Sequence, residues 1–242
     1  MTRVVISQPM YFPWVGMFEQ IRLCDVYIHY DDVQFSKGSF TNRVQIKTST
    51  TEGFKWLAVP LRTFTLGTKI NEILIDDKKD WRNDHYKLLD KWFEKAPFKN
   101  EALELFEKTA ETSHLTIADL SIKSLEVVSE YYGLLLNKKV FKSSEQFIDG
   151  KSSKRVFDYV KKFNGTEYIT GLGALKYLDH DLFENNGINV QYMDYRKKEY
   201  PQLYGAFNPY VSILDLIANT GKEGIKYICS STINWKEIKQ KK

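Results

Sequence analysis

The fold of this protein is decided by residues 3–34, RVVISQPMYFPWVGMFEQIRLCDVYIHYDDVQ. A β-branched run at residues 4–6 and an apolar run at residues 26–30 flank a short pattern of helical spacing at residues 18–23. The order strand, helix, strand in so short a stretch is that of a βαβ unit with two parallel strands. We therefore predict an α/β fold, Rossmann-like, built on a parallel or mixed sheet.

Parallel strands present their carboxyl ends at the same edge of a sheet. The segment from Gln8 to Gly16 follows the first predicted strand, and the segment from Asp31 to Gln34 follows the second. Open α/β sheets bind their ligands at this edge. We therefore expect the two segments to meet at a binding site.

The rest of the chain fits one domain, residues 1–242, with a helical insertion at about residues 79–136. Apolar residues recur at helical spacing through that section, with a break at Ala96-Pro97-Phe98. Further strands are predicted at 44–48 and 55–60 (as a hairpin), 70–75, 140–141, 167–170 and 189–192, and further helices at 153–163 and 213–218.

Composition excludes several classes of protein. The chain has 242 residues, of which 43% are hydrophobic and 27% charged, so it can fold around a sizeable core. The net charge of +4 comes from bases interleaved with acids, which does not predict nucleic-acid binding. Neither a secretory signal nor a membrane-spanning run is present, so we expect a soluble, cytoplasmic protein without membrane insertion.

Polar side chains cluster directly after the second predicted strand. The cluster contains two carboxylates, two amides and two cations beside several aromatic residues: Asp31, Asp32, Gln34, Lys37, Asn42 and Arg43. Such a set can hold anionic groups and position a general base. In an extended segment the two carboxylates point to opposite faces, so we expect at most one to be catalytic. The alternative is a solvated turn.

The loop after the first strand is rich in aromatic residues. Gln8, Tyr11 and Trp14 in this loop predict a wall on which a sugar or a base can stack, and the prolines hold the loop rigid. Gly16 at the start of the next helix lets a phosphate approach the free N–H groups. The alternative is a rigid loop that caps the sheet.

Histidine and cysteine spacing offers little further chemistry. His85 lies one helical turn after Trp81 and is the best histidine candidate for a base, although a lone imidazole is more often structural. The chain contains no His-x-x-x-His or Cys-x-x-Cys pair, so we expect neither a metal nor a cofactor. Thr170 precedes a Gly-x-Gly turn, and Tyr200 lies in a second loop rich in aromatic and amide side chains.

The chain resembles the WbqC-like family of bacterial proteins over nearly its whole length. The matching motifs are Gln8-Pro9-x-Tyr11-Phe12-Pro13-Trp14-x-Gly16, Asp31-Asp32-Val33-Gln34-Phe35, Asn42-Arg43, Trp56-Leu57-x-Val59-Pro60, Trp81 with His85, Thr170-Gly171-x-Gly173-Ala174, Tyr200-x-Gln202 and Ser212-Ile213-x-Asp215. The resemblance implies a cytoplasmic protein of O-antigen, other surface-polysaccharide or natural-product biosynthesis. Thr170 stands where serine is expected more often, which keeps the hydroxyl.

The resemblance favours a transferase that forms an amide on an amino sugar from a thioester-bound acyl or aminoacyl group. Its partners are then a nucleotide sugar or amino sugar and an acyl carrier protein. We expect Asp32 or His85 as the base. The predicted substrate-binding residues are Gln8, Tyr11, Trp14, Asp31, Gln34, Lys37, Asn42, Arg43, Thr170 and Tyr200.

Two other functions remain open at this stage. Nucleotidyl transfer predicts binding of ATP or CTP, a requirement for Mg²⁺, and Lys37, Arg43 and Lys47 on the phosphates. The histidines typical of that class are missing from the first loop. A non-catalytic accessory protein of polysaccharide assembly is the third hypothesis, and it predicts that Asp32→Asn leaves pathway output intact.

Overall fold

The computed structural model describes residues 1–111 and 113–240. Eight strands are present in this part of the chain: β1 Arg3–Ser7, β2 Val26–His29, β3 Arg43–Lys47, β4 Phe54–Ala58, β5 Lys139–Lys142, β6 Glu167–Thr170, β7 Asn189–Asp194 and β8 Ser231–Asn234. The helices are α1 Val15–Leu23, α2 Trp81–Trp92, α3 Lys99–Ala110, α4 Ile117–Tyr131, α5 Ser152–Lys162, α6 His180–Glu184, α7 Ile213–Thr220 and α8 Trp235–Gln240.

Six strands form one sheet in the order β5-β2-β1-β6-β7-β8. All neighbours pair in parallel except β8, which runs antiparallel to β7. In the predicted βαβ unit, Val4 of β1 pairs with Val26 of β2, and α1 connects the two strands. The prediction of a Rossmann-like α/β fold on a parallel or mixed sheet is therefore confirmed, and the sheet is mostly parallel.

Helices cover both faces of this sheet. Val5 and Tyr27 point to one face and pack in the same core as Phe18 of α1. Val4 points to the other face and packs in a second core with Phe183 of α6. The crossover from β1 to β2 therefore lies on one face, and the crossover from β6 to β7 lies on the other.

The two crossovers also lead in opposite directions from the middle of the sheet. From β1 the chain moves by way of α1 to β2, and from β6 it moves by way of α6 to β7 on the other side. The neighbouring strands β1 and β6 are thus a topological switch point. A crevice opens between the carboxyl ends of two such strands, and ligands bind there in open α/β sheets.

The predicted helical section between β4 and β5 consists of α2, α3 and α4. The predicted break at residues 96–98 separates α2 from α3. Asp80 caps α2 by accepting a hydrogen bond from the Asn83 amide, and Thr116 caps α4 in the same way. The apolar faces of these helices pack in the same core as the aromatic loop after β1. No helix in the described ranges has the length and apolar content needed to cross a membrane.

The predicted hairpin forms: β3 pairs antiparallel with β4, apart from the main sheet. The prediction of a strand at residues 70–75 is wrong, because Ile70–Glu72 is a 3₁₀ helix. Ile70 and Ile73 are both buried, and their spacing of three residues suits one 3₁₀ turn rather than a strand. The Lys69 amide donates to the Glu72 carboxylate and closes this turn.

Candidate functional site

A cavity of about 940 Å³, which we call the main cavity, opens at the carboxyl edge of the sheet. Gln8 after β1 and Thr170 at the end of β6 both line it. Tyr30 after β2 and Asp194 at the end of β7 line it as well. The main cavity therefore lies at the topological switch point between β1 and β6, where the fold favours ligand binding.

Aromatic and neutral polar groups dominate the wall of the main cavity. The aromatic residues are Trp14, Tyr30, Tyr168, Tyr177, Tyr195 and Tyr210, and the hydrogen-bonding residues are Ser7, Gln8, Gln20, Thr170, Asp194 and Lys197. Among the described residues of the lining, Asp194 supplies the only carboxylate and Lys197 the only ammonium. An apolar wall with a few convergent polar groups is typical of a small-molecule site.

Trp14 is the centre of a group of three aromatic rings in this wall. Its ring centroid lies 4.9 Å from that of Tyr195 and 5.4 Å from that of Tyr210. The indole also lies directly against Gly16, because a Cβ atom added there would be 2.2 Å from the ring. Glycine at position 16 is therefore required for this position of Trp14.

The backbone of the loop before Trp14 is strained and held by buried serines. Phe12 has a φ of 40°, in the left-handed region that residues other than glycine rarely adopt. Its amide donates to Ser124 Oγ at 2.9 Å, and its carbonyl accepts from Ser212 Oγ at 3.0 Å. These two hydrogen bonds come from α4 and from the N-cap of α7, so distant elements fix the loop that carries Trp14.

Gln20 and Tyr195 form a polar pair within the main cavity. Gln20 Nε2 donates to the Tyr195 hydroxyl oxygen at 2.6 Å. Burial raises the pKa of Tyr195 to about 12, although the hydrogen bond from Gln20 acts in the opposite direction. The phenol consequently keeps its proton at neutral pH, and this proton is available to a ligand oxygen.

A second cavity of about 370 Å³, the side cavity, adjoins the main cavity. The two share Tyr30, Val156 and Tyr177 in their walls. The polar residues found only in the side cavity are Asp32, Gln34, Lys151, Ser152 and Arg155. The two predicted segments after β1 and β2 therefore line adjoining cavities.

The Asp32 carboxylate in the side cavity is paired with Arg155. Burial alone would raise the pKa of Asp32, but the hydrogen bonds from Arg155 and Ser143 outweigh it, and the pKa is lowered. A carboxylate that is held ionised by a guanidinium is a weak base. Asp32 is consequently better suited to anchoring than to proton abstraction.

Arg155 is itself fixed by further contacts from both sides. Its Nε donates to the Ile148 carbonyl at 2.8 Å, and one terminal nitrogen lies 3.1 Å from the Tyr159 hydroxyl. The guanidinium carbon lies 5.1 Å from the Tyr30 ring centroid. Arg155 therefore links the Asp32 turn to α5 and to a residue that both cavities share.

Asp31 is buried and lines neither cavity. Its carboxylate accepts from the Ser144 amide at 3.0 Å and from Ser144 Oγ at 2.7 Å. Its own amide donates to Ser143 Oγ at 3.1 Å. These bonds join the turn after β2 to the turn after β5. Because the acid pair lies in a turn rather than an extended segment, both carboxylates reach Ser143.

Tyr11 and His85 are buried together, away from both cavities. The Tyr11 hydroxyl lies 3.1 Å from His85 Nδ1. Burial lowers the pKa of His85 to about 4, against a smaller opposite effect of its hydrogen bond to Ala58. The imidazole is neutral at pH 7 and packs against Trp81, so the structure assigns it to the core between the first loop and α2.

Four more of the predicted site residues lie outside the two cavities: Lys37, Asn42, Arg43 and Tyr200. Arg43 stacks on Trp56, with 4.3 Å between the guanidinium carbon and the ring centroid, and Lys37 lies over Phe64. Asn42 donates to the Val59 carbonyl, and the buried Tyr200 donates to Asp215 at 3.0 Å. Gln8, Trp14 and Thr170 line the main cavity, while Asp32 and Gln34 line the side cavity.

Several residues of these walls were not predicted from the sequence: Gln20, Tyr30, Arg155, Asp194 and Lys197. The sequence could have indicated Asp194, because it is an acid at the end of a predicted strand, as Asp31 and Asp32 are after β2. No sequence signal indicated Arg155, since it lies within a helix and 123 residues from its partner Asp32. Across the described residues, no cluster of three His, Cys, Asp or Glu side chains has the arrangement of a metal site.

Comparisons with known proteins agree with the resemblance found in the sequence. The model of the WbqC-like protein family matches residues 8–227. The uncharacterized protein Rv1507c of Mycobacterium tuberculosis is 34% identical over 232 residues, which are 94% of this chain and 98% of that protein. No solved structure matches the chain. The family match includes both segments that follow β1 and β2.

Proposed function

The chain belongs to the WbqC-like protein family, and from this premise we propose that it is a transferase that forms an amide on an amino sugar. The donor is an acyl or aminoacyl group held as a thioester, and the setting is bacterial surface-polysaccharide or natural-product biosynthesis. The observation that carries the proposal is the main cavity at a topological switch point, which combines aromatic walls with one carboxylate and the protonated phenol of Tyr195.

The size and lining of the main cavity suit such a substrate. Ligand pockets measure roughly 300–1,000 Å³, so a cavity of about 940 Å³ has room for an amino sugar with its carrier group and for the acyl donor. Aromatic rings give flat apolar faces for a sugar, and the amides of Gln8 and Gln20 offer both donors and acceptors for hydroxyl groups.

Amide formation requires a base and a donor for the developing oxyanion. We assign the base to Asp194, which takes a proton from the ammonium group of the sugar. The free amine then attacks the thioester carbonyl carbon, a C–N bond forms, and the C–S bond breaks with release of the thiol after proton transfer. Tyr195, which keeps its proton, donates to the carbonyl oxygen as negative charge develops there.

The proposal is tested with purified protein, acyl- and aminoacyl-loaded carrier proteins as donors, and free and nucleotide-linked amino sugars as acceptors. Mass spectrometry detects the amide product. We expect Asp194→Asn to lower kcat by roughly 10²–10⁴-fold, the usual contribution of a general base. Asp181→Asn on the exposed side of α6 is the matched control and retains activity. Absence of amide product with every donor, or full activity of Asp194→Asn, would overturn the assignment.

Nucleotidyl transfer receives less support from the placement of the basic residues. Lys37 and Arg43 stack on aromatic rings outside the two cavities. Lys47 is buried, lines neither cavity, and donates to the Gln202 side-chain oxygen at 2.9 Å. The three cations that the sequence predicts on the phosphates are therefore engaged elsewhere, and we keep amide formation as the proposed function.

A further inference from the structure

The three rings Trp14, Tyr195 and Tyr210, which we call the ring subsite, lie beside the only ammonium group in the described lining of the main cavity. Lys197 donates a hydrogen bond to the Tyr210 hydroxyl, so its charge is held at the edge of the ring subsite. The amide of Gln20 reaches the same place through its bond to Tyr195. Flat faces, an amide and one positive charge thus converge in one part of the cavity.

This combination matches a nucleotide better than a free sugar. Nucleobases stack on aromatic side chains, and each stacked base contributes about 1–3 kcal/mol to binding of single-stranded nucleic acid. An amide carbonyl oxygen can accept from the edge of a base, and Gln20 offers this oxygen while its Nε2 donates to Tyr195 and to Met17 Sδ. A phosphate next to the base would find the Lys197 ammonium, whereas a free amino sugar is itself a cation and would be repelled there.

We propose that the ring subsite binds the base of a nucleotide-linked sugar, with Lys197 facing its phosphates. This inference rests on the proposed function, because it specifies the acceptor as a nucleotide-activated amino sugar rather than a free one. The sugar and its reacting amino group then extend from the ring subsite along the cavity toward Asp194 at the end of β7.

A substitution at Gly16 perturbs the ring subsite while its three aromatic residues stay the same. A Cβ atom at position 16 would lie 2.2 Å from the indole, so Gly16→Ala forces Trp14 out of its position. Trp14→Leu removes the ring itself and serves as the second variant if Gly16→Ala does not fold. Trp56→Leu is the matched control, because Trp56 is also partly buried among aromatic rings but lies in the β3–β4 hairpin, outside the cavity.

Isothermal titration calorimetry with UMP, dTMP, CMP, GMP and AMP measures the predicted interaction, and glucosamine and inorganic phosphate are the two partial probes. We expect at least one nucleotide to bind, and Gly16→Ala and Trp14→Leu to raise its Kd by about 5- to 150-fold, the equivalent of one stacked base. Trp56→Leu is expected to bind as the unmodified protein does.

The proposal is overturned if no nucleotide binds, or if all variants bind with equal Kd. These outcomes are distinct from failure of the proposed function. Amide transfer to a free amino sugar without nucleotide binding would remove the ring subsite and leave the transferase. Nucleotide binding that depends on Trp14, with no amide product from any donor, would keep the ring subsite and remove the transferase.

Discussion

Replacing Arg155 by methionine tests whether the ion pair with Asp32 holds the side cavity together. The two side chains are only 10% and 14% exposed, so this pair is shielded from solvent far more than the surface pairs of the chain. Removing one partner of a buried pair typically costs about 3–5 kcal/mol, because the other charge stays buried alone. The hydrogen bond from Ser143 to Asp32 remains in the variant, so we expect the lower end, about 3 kcal/mol.

Such a loss corresponds to a fall in Tm of about 6–12 °C for a chain of this size. Urea unfolding, followed by circular dichroism, measures the free energy directly. Lys154→Met is the matched control on the same helix, since the Lys154–Asp158 pair has side-chain exposures of 66% and 31%. Exposed pairs of this kind contribute about 0–1 kcal/mol.

The pH dependence separates the loss of the pair from a general packing defect. In the unmodified protein the pKa of Asp32 is lowered, so the pair stabilises the fold above the unfolded pKa of about 3.9 and its contribution disappears as pH falls through the folded pKa. In Arg155→Met burial dominates and raises the pKa of Asp32, so protonation relieves the penalty as pH falls from 7 towards 4. The difference between the two proteins must therefore shrink over that interval.

Parallel pH profiles for the two proteins, or a loss below about 1 kcal/mol at pH 7, would refute this account. The double variant Arg155→Met with Asp32→Asn provides a further check. It removes the buried charge that the single variant leaves behind, so it should recover a large part of the lost stability at pH 7. A double variant as unstable as Arg155→Met would point to packing by the guanidinium instead.

Two further predictions concern buried polar groups outside the side cavity. Burial lowers the pKa of His29 in the folded state to about 3. Between pH 6.5 and pH 3 the unfolded chain therefore binds a proton at His29 that the folded state does not bind, and the stability of the fold falls as pH drops. The ring nitrogens of His29 have no hydrogen-bond partner among the described residues. The variant His29→Leu removes the titrating group, so the loss of stability between pH 7 and pH 5 should be smaller by up to about 2 kcal/mol in urea titrations. Ser212→Ala removes the bond to the Phe12 carbonyl and the N-cap of α7, and should cost about 1–3 kcal/mol and weaken any ligand that stacks on Trp14. Thermal melts measure the loss for Ser212→Ala, and Ser129→Ala is the control. The Ser129 hydroxyl is buried and unpaired within the described part of the chain, so Ser129→Ala should be at least as stable as the unmodified protein.

Local sequence patterns were sufficient to predict the frame of the fold. The apolar runs around residues 4–6 and 26–30 lie in neighbouring parallel strands. They could be predicted because a short run of β-branched and apolar residues is typical of a buried strand. The wrong prediction of a strand at residues 70–75 also came from reading a run of buried apolar residues as a strand. Ile70, Ile73 and Ile75 are all buried, but a 3₁₀ turn and isolated bridges bury them just as a strand would.

The partners of the polar residues could not be predicted in this way. Asp31 reaches Ser143 across 112 residues of sequence, and Asp32 reaches Arg155 across 123. Both contacts depend on β5 pairing with β2 and on α5 returning over the other face of the sheet. Arg43 lines neither cavity for a related reason, since the β3–β4 hairpin is separate from the main sheet and Arg43 stacks on Trp56 there.

Asp32 and Asp194 show why position at the carboxyl edge does not decide the role of an acid. Each lies at or just beyond the end of a parallel strand, and each lines a cavity at that edge. Asp32 is joined to a cation from α5, which stabilises its charged form and opposes proton uptake. Asp194 makes no ion pair among the described residues, and an aromatic wall with a protonated phenol lies next to it. Asp194 can accept a proton without first breaking an ion pair, so it is the better candidate for the base that amide formation requires. Arg155 of α5 is what distinguishes the two acids, because it pairs with Asp32 alone.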